Sequence, residues 1–319
     1  MTNELWIEKY RPRTIDSIII DNYTRKKIDT MLTNKSMNNI IITGVPGIGK
    51  TTTLLCMAKQ LLGKYTKIAV LEMNASDHRG VKTVESIELF CKKTFQTDSD
   101  QYAKHKIVIL DEADNMTSKA QKLINKLMQK YYKTTRFAFT CNTSSKIIEA
   151  IQGRCMIFRY KKIGKEQLKN KLKIICESEN VNYVDSGLDA IVTISRGDMR
   201  QAISNLQLVS GNSKIMNHNS VYKICDSPQP YYIRDLFNMC VNKDLVGSLK
   251  ILYILINKGY SIDDISLTMI DTLKSPITKH ISEDVRINFM KEISKTYLIV
   301  SKGVDTQLQM SGCIARLCM

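Results

Sequence analysis

No run in the sequence approaches the roughly 18 to 20 uninterrupted apolar residues that a membrane-spanning helix needs. The N-terminal segment up to Arg13 carries charge from Glu4 onward and has no apolar signal-peptide core. Both absences lead to the expectation of a soluble, intracellular protein. The nine cysteines include no C-x-x-C pair, and an odd number cannot all be disulfide-bonded within one chain, so they read as reduced, mostly buried thiols. The four histidines, His78, His105, His218 and His280, lack metal-ligand spacing, and no zinc site is expected. Internal repeats and low-complexity tracts are also missing. Acidic residues are in deficit, 31 Asp and Glu against 47 Lys and Arg, for a net charge of +16.

What is present is a globular composition, 43% hydrophobic and 24% charged, with a mean hydropathy of -0.19. A length of 319 residues predicts two or three domains. Up to residue 160 there are 26 basic and 15 acidic side chains, an excess of 11; beyond it 21 and 16 leave an excess of 5. A surplus of that size attracts a polyanion. With no amphipathic basic helix or lipidation motif, nucleic acid is expected rather than a membrane.

Between residues 39 and 155 short apolar runs alternate with helical periodicities, the pattern of a parallel α/β sheet. Strands are expected over 39–43, 68–73, 107–110, 136–141 and 156–158, with helices over 50–62, 81–94, 118–131 and 146–151. After Lys161 the strand signal stops, and 166–178, 186–194 and 198–209 read as helices of a small all-α unit. Asp226-Ser-Pro-Gln-Pro230 then breaks any helix and marks a linker. From 231 to 318 the periodicity is helical, with Leu245, Leu249, Leu252 and Ile256 at spacings of three and four. The expected domains are residues 1–160, 161–227 and 228–319.

Gly44-Val-Pro-Gly-Ile-Gly-Lys-Thr51 fits G-x-x-x-x-G-K-[ST] between an apolar strand and a helix. Gly44, Gly47 and Gly49 let backbone N–H groups turn inward around phosphates at a helix N-terminus. Lys50 would reach the β- and γ-phosphates of ATP, Thr51 and Thr52 follow at the helix start, and Thr51 would ligate Mg2+. The run 107–110 delivers Asp111, Glu112 and Asp114 to the carboxyl edge of the sheet. There Asp111 can serve the metal and Glu112 can take a proton from the attacking water. The next strand delivers Asn142 to the same edge, where an amide can orient that water. Arg154 and Arg200 cannot be placed by spacing.

These motifs carry a resemblance through nearly the whole chain. Trp6-Ile-Glu-Lys-Tyr-Arg-Pro12, Gly44 to Thr51, Glu72-Met-Asn-Ala-Ser-Asp77 with Arg79-Gly80, Asp111-Glu-Ala-Asp114, Cys141-Asn142 and Gly197-Asp-Met-Arg200 resemble the ordered boxes of a replication factor C small subunit, a clamp-loader ATPase of the AAA+ class. The resemblance implies a parallel-sheet P-loop ATPase domain, a helical lid and a C-terminal all-helical collar. It assigns Arg154 as an arginine finger completing a neighbour's ATP site and Arg200 as the lid sensor of the γ-phosphate. Tyr10, Arg11 and Pro12 would line the adenine pocket. It further implies DNA-phosphate contacts by Arg79, Lys82, Lys146 and the helix start at Thr117 and Ser118, and it turns the helix over 81–94 toward a sliding clamp, where Ile87 and Phe90 either insert into the clamp or pack as ordinary helix core. The sequence departs from the family pattern at Gly153, where Ser is usual, at His78, where Glu is usual, and at Asn125-Lys126, where two Arg are usual.

The expected function is therefore that of a DNA-dependent, Mg2+-dependent ATPase, one small subunit of a five-subunit loader. It would place a ring-shaped sliding clamp on primer-template DNA with a large subunit and other small subunits. A nucleotide-binding structural subunit with little turnover and a branch-migration or other AAA+ motor are the alternatives. The location implied is the nucleus of a eukaryotic cell, or the cytoplasm or viral replication compartment for an archaeal or large-virus source.

Overall fold

Five short apolar runs form the strands of one sheet: β1 Ile40–Thr43, β2 Val70–Asn74, β3 Lys106–Asp111, β4 Thr135–Cys141 and β5 Met156–Arg159. The computed structural model describes residues 4–75, 81–97, 100–304 and 306–319. The strands pair in parallel in the order β2-β3-β4-β1-β5. Successive side chains of a strand face opposite sides, and here both sides are covered. Ile40, Ile42, Ile107 and Ile109 enter one apolar cluster. Ile41, Val108, Leu110, Phe137 and Phe139 enter the other. Two-sided burial is why these strands read as continuous apolar runs rather than alternating ones.

The helices are α1 Trp6–Lys9, α2 Asn22–Thr33, α3 Lys50–Leu62, α4 Thr66–Ala69, α5 Val81–Lys92, α6 Ser118–Lys130, α7 Glu149–Gln152, α8 Lys165–Ser178, α9 Asp185–Ser195, α10 Met199–Asn212 and α11 His218–Ile224. Then follow α12 Pro230–Val241, α13 Leu245–Asn257, α14 Ile262–Lys274, α15 Glu283–Val300 and α16 Gln307–Leu317. Pro230 opens α12 at a position where its missing N–H has no helical partner to lose.

Two local expectations change and a third is decided between its alternatives. The strand expected from residue 68 begins at Val70, because Thr66–Ala69 is helical and β3 first offers a partner, Ile107, to Val70. Ile68 is left 71% exposed. The helix expected over 146–151 is split: a 3-10 turn covers Ser144–Lys146 and α7 begins at Glu149. Ile87 is fully buried in the core with Val84 and Cys91, whereas Leu89 is 62% exposed and Phe90 only partly buried.

By compactness the chain divides into Met1–Tyr183 with Ile191–Ser210, and Val184–Ala190 with Gly211–Met319. The first unit holds the sheet together with α8 and α10. Its N-terminal segment is fastened to them: Lys9 (2.6 Å) and Tyr10 both donate to Glu179. Trp6 N donates to Gln207 Oε1 at 3.0 Å, and Gln207 Nε2 returns a bond to Glu4 O at 3.2 Å. The second unit is all helical, its core built from Ile233, Phe237, Leu252, Leu255, Met269, Ile293 and Ile314. The nine cysteines are free thiols, seven of them buried.

Candidate active site

Strand order brings three chain segments to one edge. β1 ends at the phosphate loop, β4 lies beside it, and β3 lies beyond β4. The pairs Thr43 with Cys141 and Leu110 with Phe139 put Gly44, Asn142 and Asp111 at the same end of neighbouring strands. A cleft of about 230 Å³ opens there, lined by Tyr10, Arg11, Pro12, Gly47, Gly49, Lys50, Thr51, Thr52, Asp111, Glu112, Asn142 and Arg200 among others. All belong to the first unit.

The loop needs its glycines. Gly47 and Gly49 have φ of 69° and 87°, where a Cβ is strained. A Cβ at Gly47 would also stand 1.8 Å from Asp198 Oδ1, and one at Gly44 2.7 Å from Tyr160 O. Gly47 O accepts from Met199 N at 3.1 Å, so the loop touches the start of α10. Asp198 caps that helix through Gln201 N at 3.0 Å, and Arg200 sits in its first turn.

Lys50 Nζ donates to Gly44 O (2.7 Å), Val45 O (2.9 Å) and Asn142 Oδ1 (2.7 Å). Burial pushes its pKa down, opposed by the nearby Asp111 charge. Thr51 Oγ1 lies 2.9 Å from both oxygens of Asp111. One hydroxyl and one carboxylate converge there, hard oxygen donors of the kind that suits Mg2+. The set fits that ion.

Glu112 has φ of 52°, left-handed for a residue with a side chain. Its N–H donates to Asp111 Oδ1 at 3.2 Å and to Thr140 Oγ1 at 3.1 Å, and its carboxylate accepts from Asn115 Nδ2 at 3.2 Å. Asp114 accepts from Asn142 N at 3.2 Å and Thr143 N at 3.4 Å, which ties the Asn142 turn to the acidic loop.

Arg154 stands apart from the cleft on the exposed surface after α7, where it donates to Ala150 O at 2.9 Å. Among the described residues no carboxylate pairs with it. Gly153 is in right-handed helical conformation, its N–H bonded to Glu149 O at 2.8 Å. A Cβ there would meet nothing closer than 3.5 Å, so this turn does not require glycine.

Of the residues expected to contact DNA, Arg79 and the Lys82 side chain lie outside the described residues, as does His78. Thr117 caps α6 by accepting from Ala120 N at 3.3 Å, and Ser118 begins the helix, both exposed. Lys146 is brought beside them by Gln121, which sequence reading missed. Gln121 is 2% exposed and donates to Met116 O (3.3 Å) and Lys146 O (3.0 Å) while accepting from Ile148 N (2.8 Å). Thr140, Asp114 in its bracing role, Glu179 and Gln207 were missed as well. Their partners are far away in sequence, and no local spacing marks them.

Residues 40–163 match the ATPase family associated with various cellular activities, and residues 228–316 match the replication factor C C-terminal domain. Replication factor C subunit 4 of Schizosaccharomyces pombe is 40% identical over 98% of this chain and 90% of its own length. A putative replication factor C small subunit of Acanthamoeba polyphaga mimivirus is 42% identical over 99% and 98%. Among solved structures, the Thermotoga maritima RuvB Holliday junction branch migration motor covers 73% of this chain and 79% of its own, with a TM-score of 0.55 at 15% identity, a likeness of fold alone. Identity at this level along almost the full length, joined to an ATPase domain and the matching C-terminal domain, shows that the chain belongs to the replication factor C small-subunit family.

Proposed function

We propose that this chain is an ATP-hydrolysing small subunit of a sliding-clamp loader that acts on primer-template DNA. The observation that carries the reading is the convergence of Lys50, Thr51, Asp111, Glu112 and Asn142 in one cleft of a replication factor C chain. Lys50 neutralises phosphate charge, Asn142 orients the nucleophile, and Glu112 accepts its proton. Thr51 and Asp111 would hold Mg2+, which screens the charge of the β- and γ-phosphates when bound. Tyr10, Arg11 and Pro12 form the wall assigned to the base, and Arg200 reads the γ-phosphate from the lid side. Arg154, exposed and without a carboxylate partner among the described residues, is free to enter the site of an adjacent subunit.

The division into ATPase domain 1–160, lid 161–227 and collar 228–319 belongs to the same proposal. So do the partners: a large subunit, further small subunits in a pentamer, a clamp of the proliferating cell nuclear antigen type, and DNA. Clamp contact is placed on Phe90 and the exposed Leu89, since Ile87 serves the core. Arg79, Lys82, Lys146 and the α6 start at Thr117 and Ser118 are proposed to track phosphates, which follows duplex shape without reading bases.

The test is reconstitution of the assembly with a fluorescent clamp and primer-template DNA. ATP-dependent clamp retention on DNA and DNA-stimulated phosphate release are expected, both lost with Glu112→Gln. Strand displacement or branch migration without clamp retention would replace this reading with a motor. Full clamp retention with Lys50→Ala would assign turnover to other subunits.

A further inference from the structure

The acidic pair that the proposed hydrolysis depends on is braced by a residue that no motif marks. Thr140 lies in β4 next to the Leu110 and Phe139 pair and is 1% exposed. Its hydroxyl contacts Asp111 Oδ1 and Glu112 N. The roles in this contact are fixed by chemistry. A backbone N–H can only donate and an ionised carboxylate can only accept, so the Thr140 oxygen receives the Glu112 N–H and its one proton goes to Asp111. Thr51, the other hydroxyl on Asp111, approaches from the phosphate loop and has no bond to Glu112. Thr140 therefore links the expected metal ligand to the expected base from the buried side.

The strain in the turn makes the link consequential. Glu112 occupies a left-handed conformation that side-chain-bearing residues rarely adopt, and its N–H has two acceptors, Asp111 Oδ1 and Thr140 Oγ1. Removing the hydroxyl deletes one acceptor from that turn and one donor from Asp111.

We propose that Thr140 is a positioning residue for hydrolysis, fixing the Asp111 carboxylate for the metal and the Glu112 turn for proton transfer. This rests on the ATPase reading above. Valine keeps the shape of threonine without its hydroxyl, and serine keeps the hydroxyl without its methyl.

The experiment compares Thr140→Val, Thr140→Ala and Thr140→Ser in the reconstituted assembly. It measures kcat and KM for ATP, the affinity for a fluorescent ATP analogue with Mg2+ and with a chelator, and the melting temperature. Buried groups that orient metal ligands are worth about 10- to 100-fold. Thr140→Val is expected to lower kcat by at least about tenfold and to shrink the Mg2+-linked gain in nucleotide affinity by a similar factor, with chelator-measured affinity within about twofold. Thr140→Ser restores both. Thr140→Ala gives the same pattern and decides the matter should Thr140→Val not fold. Wild-type values of both quantities in a folded Val or Ala variant would overturn the proposal. So would a Ser variant as impaired as Val, since packing rather than the hydroxyl would then be at work. A wild-type assembly that binds nucleotide in an Mg2+-linked way but does not turn over would fail the ATPase reading and with it the proton-transfer half of this one, and the affinity comparison would still judge the Asp111 half.

Discussion

Lys50 and Asn142, 92 positions apart in sequence, meet with the ammonium 2.7 Å from the amide oxygen. Only the oxygen of an amide can serve a lysine, so the two N–H donors of Asn142 point away from the ammonium and remain available to a water or phosphate oxygen in the cleft. Asn142→Ala should leave ATP affinity within a few-fold and lower kcat by about 10²- to 10³-fold, the loss of a positioned donor. Lys50→Ala should instead weaken binding itself. Nucleotide titration beside single-turnover rates separates the two, and equal losses of affinity in both variants would contradict the assignment.

Glu112→Gln preserves the shape of the turn and its Asn115 contact while removing the base. Turnover should drop by about 10²- to 10⁴-fold with ATP binding retained. Isothermal titration and phosphate-release kinetics on the same preparation check this. Turnover close to wild type would mean that another group accepts the proton.

Arg154→Ala should impair hydrolysis in the neighbouring subunit and leave the affinity of its own site nearly unchanged. The guanidinium donates to a carbonyl of its own helical turn, Ala150 O, so little of the local fold depends on it. Assemblies mixing an Arg154→Ala chain with a Lys50→Ala chain report where the damage falls. If it stays within the mutated chain, the finger role is excluded.

His105 is 5% exposed, its Nε2 has no hydrogen-bond partner among the described residues, and burial, then the Arg136 charge, push its pKa down to about 4. The unfolded chain takes up a proton near pH 6.5 while the folded chain stays neutral to about pH 4, so stability is lost as pH falls through that window. At pH 5 this amounts to about 2 kcal/mol relative to pH 7. His105→Leu should remove that component of acid sensitivity in urea titrations at the two pH values; an identical loss in both proteins would place the sensitivity elsewhere.

The phosphate loop, the acids after β3 and the parallel alternation were legible because each depends on neighbours in sequence. A glycine spacing, an apolar run and a helix start are local devices. Helix α3 appears over the residues its periodicity marks, and the strands shift by at most two residues at their starts. The resemblance through the ordered boxes was legible for the same reason, as a set of short local patterns in one order.

Tertiary structure alone decided what each box leans on. Thr140 reads as an ordinary strand former until strand order sets it beside Asp111. Gln121 reads as an exposed helix residue until the Lys146 turn closes over it. By sequence Ile87 could be clamp contact or core, because a helix stripe has the same spacing whether it faces the sheet or a partner; the fold makes it core. The sequence by itself determined which chemistry the chain carries, since that is written in residue type and local spacing. Which side chains hold that chemistry in place depends on pairings between distant segments, and these exist only once the sheet has ordered its strands.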